Sequence, residues 1–242
     1  MRRKRLPFFR MHCKYLHAYF FIMVLFALII LPGCSSSKTT IIQADKGIIN
    51  LTQWDFNKDG NIKLDGQWEF YWNKLITYSD IKGGIDAAHI MADVPKAWTE
   101  DNASEQILPG QGYGTYRLHV KTSLPANSLL SFNVNTFSSA YKLYVNDLEV
   151  ASNGTVGVTK QQYKPEFKPL TVVFNTPANE FDILIQVANF DISKGGFWNS
   201  LSMGSVNGIA DLQDLLMGKE LFIVGALVIL ALYYFCIYFL EE

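Results

Sequence analysis

Residues able to perform chemistry are few and scattered in this sequence. Two of the four histidines lie near the N-terminus, and the others, His89 and His119, fall in or beside predicted strands. No G-x-S-x-G or H-E-x-x-H motif occurs, and no glycine loop of the phosphate-binding type precedes a lysine. The adjacent carboxylates Glu100 and Asp101 are typical of a solvated loop rather than of a glycosidase pair. We therefore expect no enzyme activity and no cofactor.

One segment has the spacing of a calcium loop. Asp55, Asn57 and Asp59 alternate before Gly60, as in D-x-N-x-D-G loops whose oxygens wrap the ion. The twelfth position of such a loop supplies a bidentate carboxylate, but this position is Gly66 here. A tight hairpin turn is the favoured interpretation, so no metal site is predicted and these three residues are the one calcium candidate.

Aromatic residues offer a different chemistry, because their rings stack on the apolar faces of sugars while amides and charges supply directional hydrogen bonds. Trp98 follows a strand that ends at a proline and Trp198 follows two glycines, so both rings are expected to project from loops. Trp68 and Tyr116 lie on alternating strands and are expected in the core. The alternative for Trp98 and Trp198 is that both indoles plug the open end of the domain. The predicted ligand site comprises Trp98, Tyr113, Asn189, Lys194 and Trp198.

Short β-rich runs separated by turn residues must position these side chains. Apolar residues alternate within residues 116–120 and 141–145, as expected of strands with one buried face. Two short helices are predicted at residues 78–89 and 209–219. The absence of a β-α-β alternation predicts an all-β, antiparallel, jelly-roll-like β-sandwich. The ten predicted strands are residues 47–52, 66–72, 90–94, 115–122, 129–135, 140–145, 149–152, 170–174, 181–187 and 197–203.

The N-terminal region has the layout of an export signal. Six basic residues and no acidic residue precede residue 38, and an apolar run spans residues 18–31. The stretch from Leu31 to Cys34, followed by three serines, resembles a bacterial lipobox, in which the cysteine thiol is diacylated. We expect residues 1–34 to be a signal peptide with Cys34 as the lipidation site, or else an uncleaved anchor. Residues 35–43 are predicted to be a tether.

A second apolar run, residues 221–240, carries no charge and is long enough to cross about 30 Å of hydrocarbon. With the basic N-terminus inside, the domain predicted at residues 44–218 is expected on the outer side of the cell membrane. All 22 acidic residues but only 15 of the 21 basic residues lie beyond residue 37. This acidic balance excludes nucleic acid as an expected partner, because binding to nucleic acid depends on neutralising phosphates.

Six short motifs occur in a characteristic order: LDGQWEFYW at 64–72, VPKAW at 94–98, GYGTYRL at 112–118, AYKLYVN at 140–146, VANF at 187–190 and GGFW at 195–198. This order resembles the extracellular jelly-roll domain and first membrane helix of bacterial seven-transmembrane receptors with diverse intracellular signalling modules. More distantly, it resembles the sugar-binding domain of family-two glycoside hydrolases. The resemblance covers about residues 45–240.

The resemblance implies a ligand-sensing, carbohydrate-binding-like domain of a membrane receptor in signal transduction. The expected partners are a small-molecule or carbohydrate ligand, the membrane, and further membrane helices or a cytoplasmic signalling module. Two residues follow the apolar run, so we expect either a displayed domain or the front fragment of a receptor whose kinase or cyclase output lies elsewhere. A non-catalytic structural or protein-interaction module on the cell surface is the alternative.

Overall fold

The computed structural model of the protein describes residues 42–100, 107–135 and 140–241. The predicted signal peptide, Cys34 and nearly all of the predicted tether lie outside these residues. The strands and helices are β1 (Ile48–Leu51), β2 (Ile62–Lys63), β3 (Gly66–Trp72), α1 (Tyr78–Lys82), β4 (Ile90–Val94), β5 (Lys96–Ala97), β6 (Gly112–Thr122), β7 (Leu129–Val134), β8 (Ala140–Val145), β9 (Leu148–Asn153), β10 (Leu170–Asn175), β11 (Glu180–Asn189), β12 (Gly196–Phe197), β13 (Leu201–Gly204) and α2 (Val206–Glu241).

Two sheets form the domain. The larger has the order β4-β3-β6-β11-β8-β9, all antiparallel, and β1 pairs with β6 in parallel beside β3. The smaller has the antiparallel order β10-β7-β13-β2, and a separate short pair joins β12 to β5. The predicted antiparallel β-sandwich with an apolar C-terminal helix is therefore confirmed, with the parallel β1–β6 pair as an exception.

The core lies between the two sheets. Along β6 every second residue, including Tyr116, Leu118 and Val120, is buried, as the alternation in the sequence predicts. These side chains belong to one apolar cluster with Phe132 and Val134 of the smaller sheet. Side chains from two inner faces that meet in this way are the usual core of a β-sandwich.

The elements differ from the sequence predictions at several points. The sequence analysis missed the two-residue strands β2 and β5, which are too short to show an alternation. The run predicted as one strand at 197–203 is divided into β12 and β13. Helix α1 ends at Lys82 instead of residue 89, because Gly83 and Gly84 follow it. Its start is capped by Thr77, whose hydroxyl accepts a hydrogen bond from the Asp80 amide at 3.3 Å.

Helix α2 is longer than expected. The sequence predicts a short helix at 209–219 and a separate span at 221–240, but the structure has one helix of 36 residues. At about 1.5 Å per residue this helix is about 54 Å long. Its segment Val206–Tyr238 is apolar and long enough to cross a membrane, and the most apolar part of this segment is not buried against the protein. Among the described residues this is the one helix of that kind.

The strand registers define two ends of the sandwich. The helix end comprises the β1–β2 loop, the β6–β7 loop and Ser205, which immediately precedes α2. The far end comprises the loop before β6, the end of β11 and residues 193–198, because Gly112 pairs with Asn189. Strand β6 runs from the far end to the helix end.

Candidate functional site

The loops that carry the predicted ligand residues meet at the far end. Gly196 pairs with Ala97, and the Trp98 amide donates a hydrogen bond to the Gly195 carbonyl at 3.0 Å. This contact brings the chain after β4 against the chain after β11. The two tryptophans, Trp98 and Trp198, therefore flank the same short β-pair.

Trp98 is buried, so the expectation that its ring projects from a loop is wrong. Only 1% of the residue is exposed. The indole stacks on Phe70 with ring centroids 5.9 Å apart, meets Trp72 edge-on at 5.1 Å and donates to the Pro109 carbonyl at 2.7 Å. The physical reason is close approach of the backbone, since a Cβ on Gly195 would overlap the indole. Trp98 closes the far end of the sandwich.

Asn189 is also a packing residue. It is fully buried, and its side-chain amide donates to the carbonyls of Gly110 and Ile192 at 2.7 and 2.8 Å. Its side-chain oxygen accepts a hydrogen bond from the Ile192 amide at 3.2 Å. These bonds tie the end of β11 to the loop before β6. The donors of this amide bind backbone carbonyls, so Asn189 packs the far end in this structure, and its expected role as a ligand group stays a prediction.

Tyr113 lies on the other face of the larger sheet. The glycines on either side of it are buried, so the alternation along β6 directs its half-buried side chain away from the core. There it packs with Phe190 against a small cluster of Ala140, Tyr163 and Ala188. The structure therefore separates Tyr113 from Trp98, which lies inside the sandwich.

Lys194 and Trp198 form the exposed part of the far end. The Lys194 ammonium lies 5.4 Å from the centroid of the partly exposed Trp198 ring and 2.9 Å from the Glu100 carboxylate. About half of each charged side chain is accessible to solvent. A partly exposed indole with a cation and a carboxylate beside it can bind a polar molecule that also has an apolar face. The sequence analysis had considered Glu100 only as a neighbour of Asp101.

The calcium candidate lies at the helix end, far from the other predicted residues. The Asp55 carboxylate accepts a hydrogen bond from the backbone amide of Asn57 at 3.0 Å and pairs with the Lys58 ammonium at 3.3 Å. The Asp59 carboxylate accepts from the Asp55 amide at 2.8 Å. The segment is a turn, but it joins strands of different sheets, so the predicted hairpin is wrong. Within residues 42–100, 107–135 and 140–241, no cluster of three histidine, cysteine or acidic residues is arranged to hold a metal.

A charged cluster that the sequence analysis missed crosses the outer face of the larger sheet. Arg117 lies 2.9 Å from a carboxylate oxygen of Glu69 on β3 and 2.9 Å from one of Asp182 on β11. His119 contacts Asp182 at 3.2 Å and Glu180 at 3.5 Å. The available signal was the alternation in residues 116–120, which places Arg117 and His119 on one face opposite the apolar positions.

The electrostatics of this cluster are those of a satisfied ion-pair network. Burial alone would lower the pKa of Arg117, but hydrogen bonds and charge from Glu69 and Asp182 outweigh it and raise that pKa. Burial, followed by the hydrogen bond to Glu69, raises the pKa of Tyr71 to about 12. Arg117 binds both carboxylates and thereby joins β6 to β3 through Glu69 and to β11 through Asp182.

Fold and site together define a two-sheet β-domain that continues into one apolar helix. No family model and no curated protein matches the sequence. Among solved structures, the chain is similar to a GH2 beta-galacturonidase from Eisenbergiella tayi bound to galacturonate, with a TM-score of 0.41 and 15% identity, over 60% of this chain and 24% of that chain. It is also similar to a Ruminococcus gnavus beta-glucuronidase, with a TM-score of 0.43 and 16% identity, over 59% and 27% of the two chains. The chain thus spans about a quarter of the length of these enzymes.

Proposed function

We propose that this chain is the ligand-sensing domain of a membrane signalling receptor, displayed outside the cytoplasm and not itself an enzyme. The observation that carries the proposal is the joint between the sandwich and helix α2. Only Ser205 separates the end of β13 from the start of α2, and Ile209 in the first turns is fully buried. Because no flexible linker intervenes, a change in the orientation of the sandwich moves the helix with it.

Side-chain contacts fix this joint from several directions. The Ser205 hydroxyl accepts a hydrogen bond from the Gly208 amide at 3.1 Å and caps the helix. The Asn61 amide, in the loop before β2, donates to the Gly208 carbonyl at 2.6 Å. Further along the helix, Gln213 forms a hydrogen bond with Thr171 of β10. The first two turns of α2 are therefore held by both edges of the smaller sheet, which supports transmission of a signal through the helix.

The proposed ligand is carbohydrate-like and contacts the exposed part of the far end. A sugar ring presents an apolar C–H face to Trp198 while its hydroxyl groups bind Lys194 and Glu100. Trp98 and Asn189 act beneath this surface as positioning residues, because they fix the loops from which the exposed side chains project.

A glycan-array screen of the full chain in lipid nanodiscs tests this proposal, followed by affinity measurements on variants. Trp198→Ala is expected to weaken saccharide binding by about tenfold or more, equivalent to about 1.4 kcal/mol. Tyr78→Ala is the matched control, because Lys82 lies 4.8 Å from the Tyr78 ring in a comparable pair elsewhere on the surface. An equal loss in both variants would argue against a site at Trp198.

The second candidate is a non-catalytic structural or protein-interaction module. The burial of Trp98 and Asn189 favours it, because that burial leaves fewer groups at the far end to hold a ligand. If no saccharide binds the folded chain at millimolar concentration, this second function replaces the first. Hydrolysis of any member of a glycoside or ester panel by the full chain would contradict the non-enzymatic part of both proposals.

A further inference from the structure

A pocket of about 580 Å³ opens at the helix end of the sandwich. Residues 52–57 of the β1–β2 loop, residues 123–124 and 128–130 around the β6–β7 loop, and Ser205 line it. Small-molecule sites in proteins have volumes of about 300–1,000 Å³, so the pocket is large enough to hold a small ligand. None of the residues predicted from the sequence for the far-end site contributes to it.

The polar lining of this pocket is almost uncharged. Among the residues that the structure describes, no lysine, arginine or histidine lines it, and the one carboxylate in the lining, Asp55, already binds the backbone amide of Asn57 and the Lys58 ammonium. The side chains of Gln53, Asn57 and Ser123 are exposed and have no hydrogen-bond partner among the described residues. Carboxamide and hydroxyl groups both donate and accept hydrogen bonds, so this lining suits a neutral ligand with several hydroxyl groups and disfavours an anion.

Apolar side chains complete the wall. Leu129 is 60% exposed at the start of β7, and Leu124 is partly exposed beside it. Trp54 lies beneath the loop, and its indole donates to the Gly60 carbonyl at 3.1 Å. A ligand that fits has an apolar face as well as hydroxyl groups, which is the chemistry of a monosaccharide or a cyclic polyol.

The position of the pocket along α2 separates it from the lipid bilayer. Ser205 precedes the uncharged run that begins at Leu221 by 16 residues, or about 24 Å along the helix. The intervening turns carry four charged residues, Asp211, Asp214, Lys219 and Glu220. A ligand in the pocket therefore comes from the surrounding solution and not from the hydrocarbon.

We propose that this pocket is a second binding site, for a neutral, polyhydroxylated molecule, and that its occupancy acts on the joint with α2. Two hydrogen bonds connect the pocket to the helix. The Trp54 indole donates to the Gly60 carbonyl, and the side-chain amide of the next residue, Asn61, donates to the Gly208 carbonyl in the first turn of α2. A ligand that binds residues 52–57 therefore contacts the same loop whose residue Asn61 holds α2. This inference goes beyond the proposed function, because it requires neither the far-end site nor a signalling output.

Fluorine NMR of the full chain in nanodiscs, labelled with 5-fluorotryptophan, tests the proposal. The chain has five tryptophans, so each resonance can be assigned by a Trp→Phe substitution. Trp54 reports on the pocket and Trp198 on the far end. We expect D-glucose, D-galactose or myo-inositol to shift the Trp54 resonance saturably, and glucuronate, which is anionic, to leave it unchanged.

A pocket-filling variant provides the specific control. Ser123→Phe is expected to abolish the Trp54 shift, whereas Ser79→Phe, at an exposed serine on α1, is expected to retain it. If Ser123→Phe impairs folding, the double variant Gln53→Ala and Asn57→Ala decides instead, with binding expected to weaken about tenfold. An unchanged titration in the folded pocket variant would overturn the proposal.

The remaining outcomes distinguish this site from the far end and from lipid. A Trp198 shift without a Trp54 shift would support the far-end site and overturn the pocket. The reverse pattern would support the pocket and remove the far-end site. A Trp54 resonance that responds to the change from detergent to nanodiscs, and to no neutral probe, would assign the pocket to lipid and overturn the inference.

Discussion

The far end and the helix end of the sandwich differ in how the gap between the sheets is closed. At the far end the gap is filled by the Trp98 indole, and the surrounding loops approach so closely that position 195 has no room for a side chain. At the helix end the β1–β2 and β6–β7 loops both cross from the larger sheet to the smaller one, and a pocket remains between them. An aromatic residue in a loop is therefore not by itself a sign of a ligand site, because the same residue type closes one end and lines the opening at the other.

The largest expected effect comes from opening the closed end. Trp98→Ala removes a buried indole that packs on Phe70 and Trp72, so the free energy of unfolding should fall by about 3–5 kcal/mol. Urea unfolding of the full chain in detergent, followed by circular dichroism, measures this change. A loss below about 1 kcal/mol would mean that the ring is not a core residue and that the two ends are alike.

The next effect is at Asn189. Asn189→Ala leaves the carbonyls of Gly110 and Ile192 without their side-chain donor, and we expect a loss of about 1–3 kcal/mol in the free energy of unfolding. Asn175→Ala, at the exposed end of β10, is the matched control and should change the stability by less than about 0.5 kcal/mol. Equal losses in the two variants would show that Asn189 does not brace the far end.

A smaller effect is expected at the joint. Asn61→Ala removes the hydrogen bond to the Gly208 carbonyl, which contributes about 1 kcal/mol. Hydrogen exchange should report faster exchange of the amides at residues 208–213, because the first turns of α2 open more often. Asn57→Ala, in the same loop but without a described bond to the helix, should leave these amides unchanged. Unaltered exchange in Asn61→Ala would show that the β1–β2 loop does not stabilise the start of α2, and it would argue against the coupling proposed for the pocket.

The strands could be predicted because their signal is local. Along β6 and β8 the apolar residues recur at every second position, and this period decides which face is buried whatever the partner strand is. Helix α2 was divided in two because the charges at residues 211–220 interrupt the apolar pattern without interrupting the backbone. The parallel pairing of β1 with β6 has no local signal, since it depends on which edge of β6 is left open beyond β3.

The site was harder to predict, because it depends on contacts between distant segments. The structure brings the loops of Trp98 and Trp198 together through the short pair of β5 and β12, but the burial of Trp98 follows from the approach of Gly195, almost 100 residues away. The pocket at the helix end is lined by polar and apolar residues of two loops that are distant in the sequence, and the one motif there, which includes Asp55 and Asn57, has the spacing of a calcium loop and does not indicate a cavity. The alternation in the sequence predicts on which face of the sheet Arg117 lies. Its partners on β3 and β11 could not be predicted, because they depend on the order of the strands in the sheet.

The smallest expected change in stability is at Trp198, and it is the sharpest test of how the two tryptophans of the far end differ. Its ring is partly exposed and meets the Lys194 ammonium at 5.4 Å, a contact that contributes about 0.5–1 kcal/mol at an exposed site. Lys194 retains Glu100 as a partner when the ring is removed, so Trp198→Ala should lower the free energy of unfolding by about 1 kcal/mol or less. Urea unfolding beside Trp98→Ala measures the difference between the two positions. A loss at Trp198 as large as the loss at Trp98 would mean that both indoles plug the far end. No exposed aromatic ring would then be available there to contact a carbohydrate.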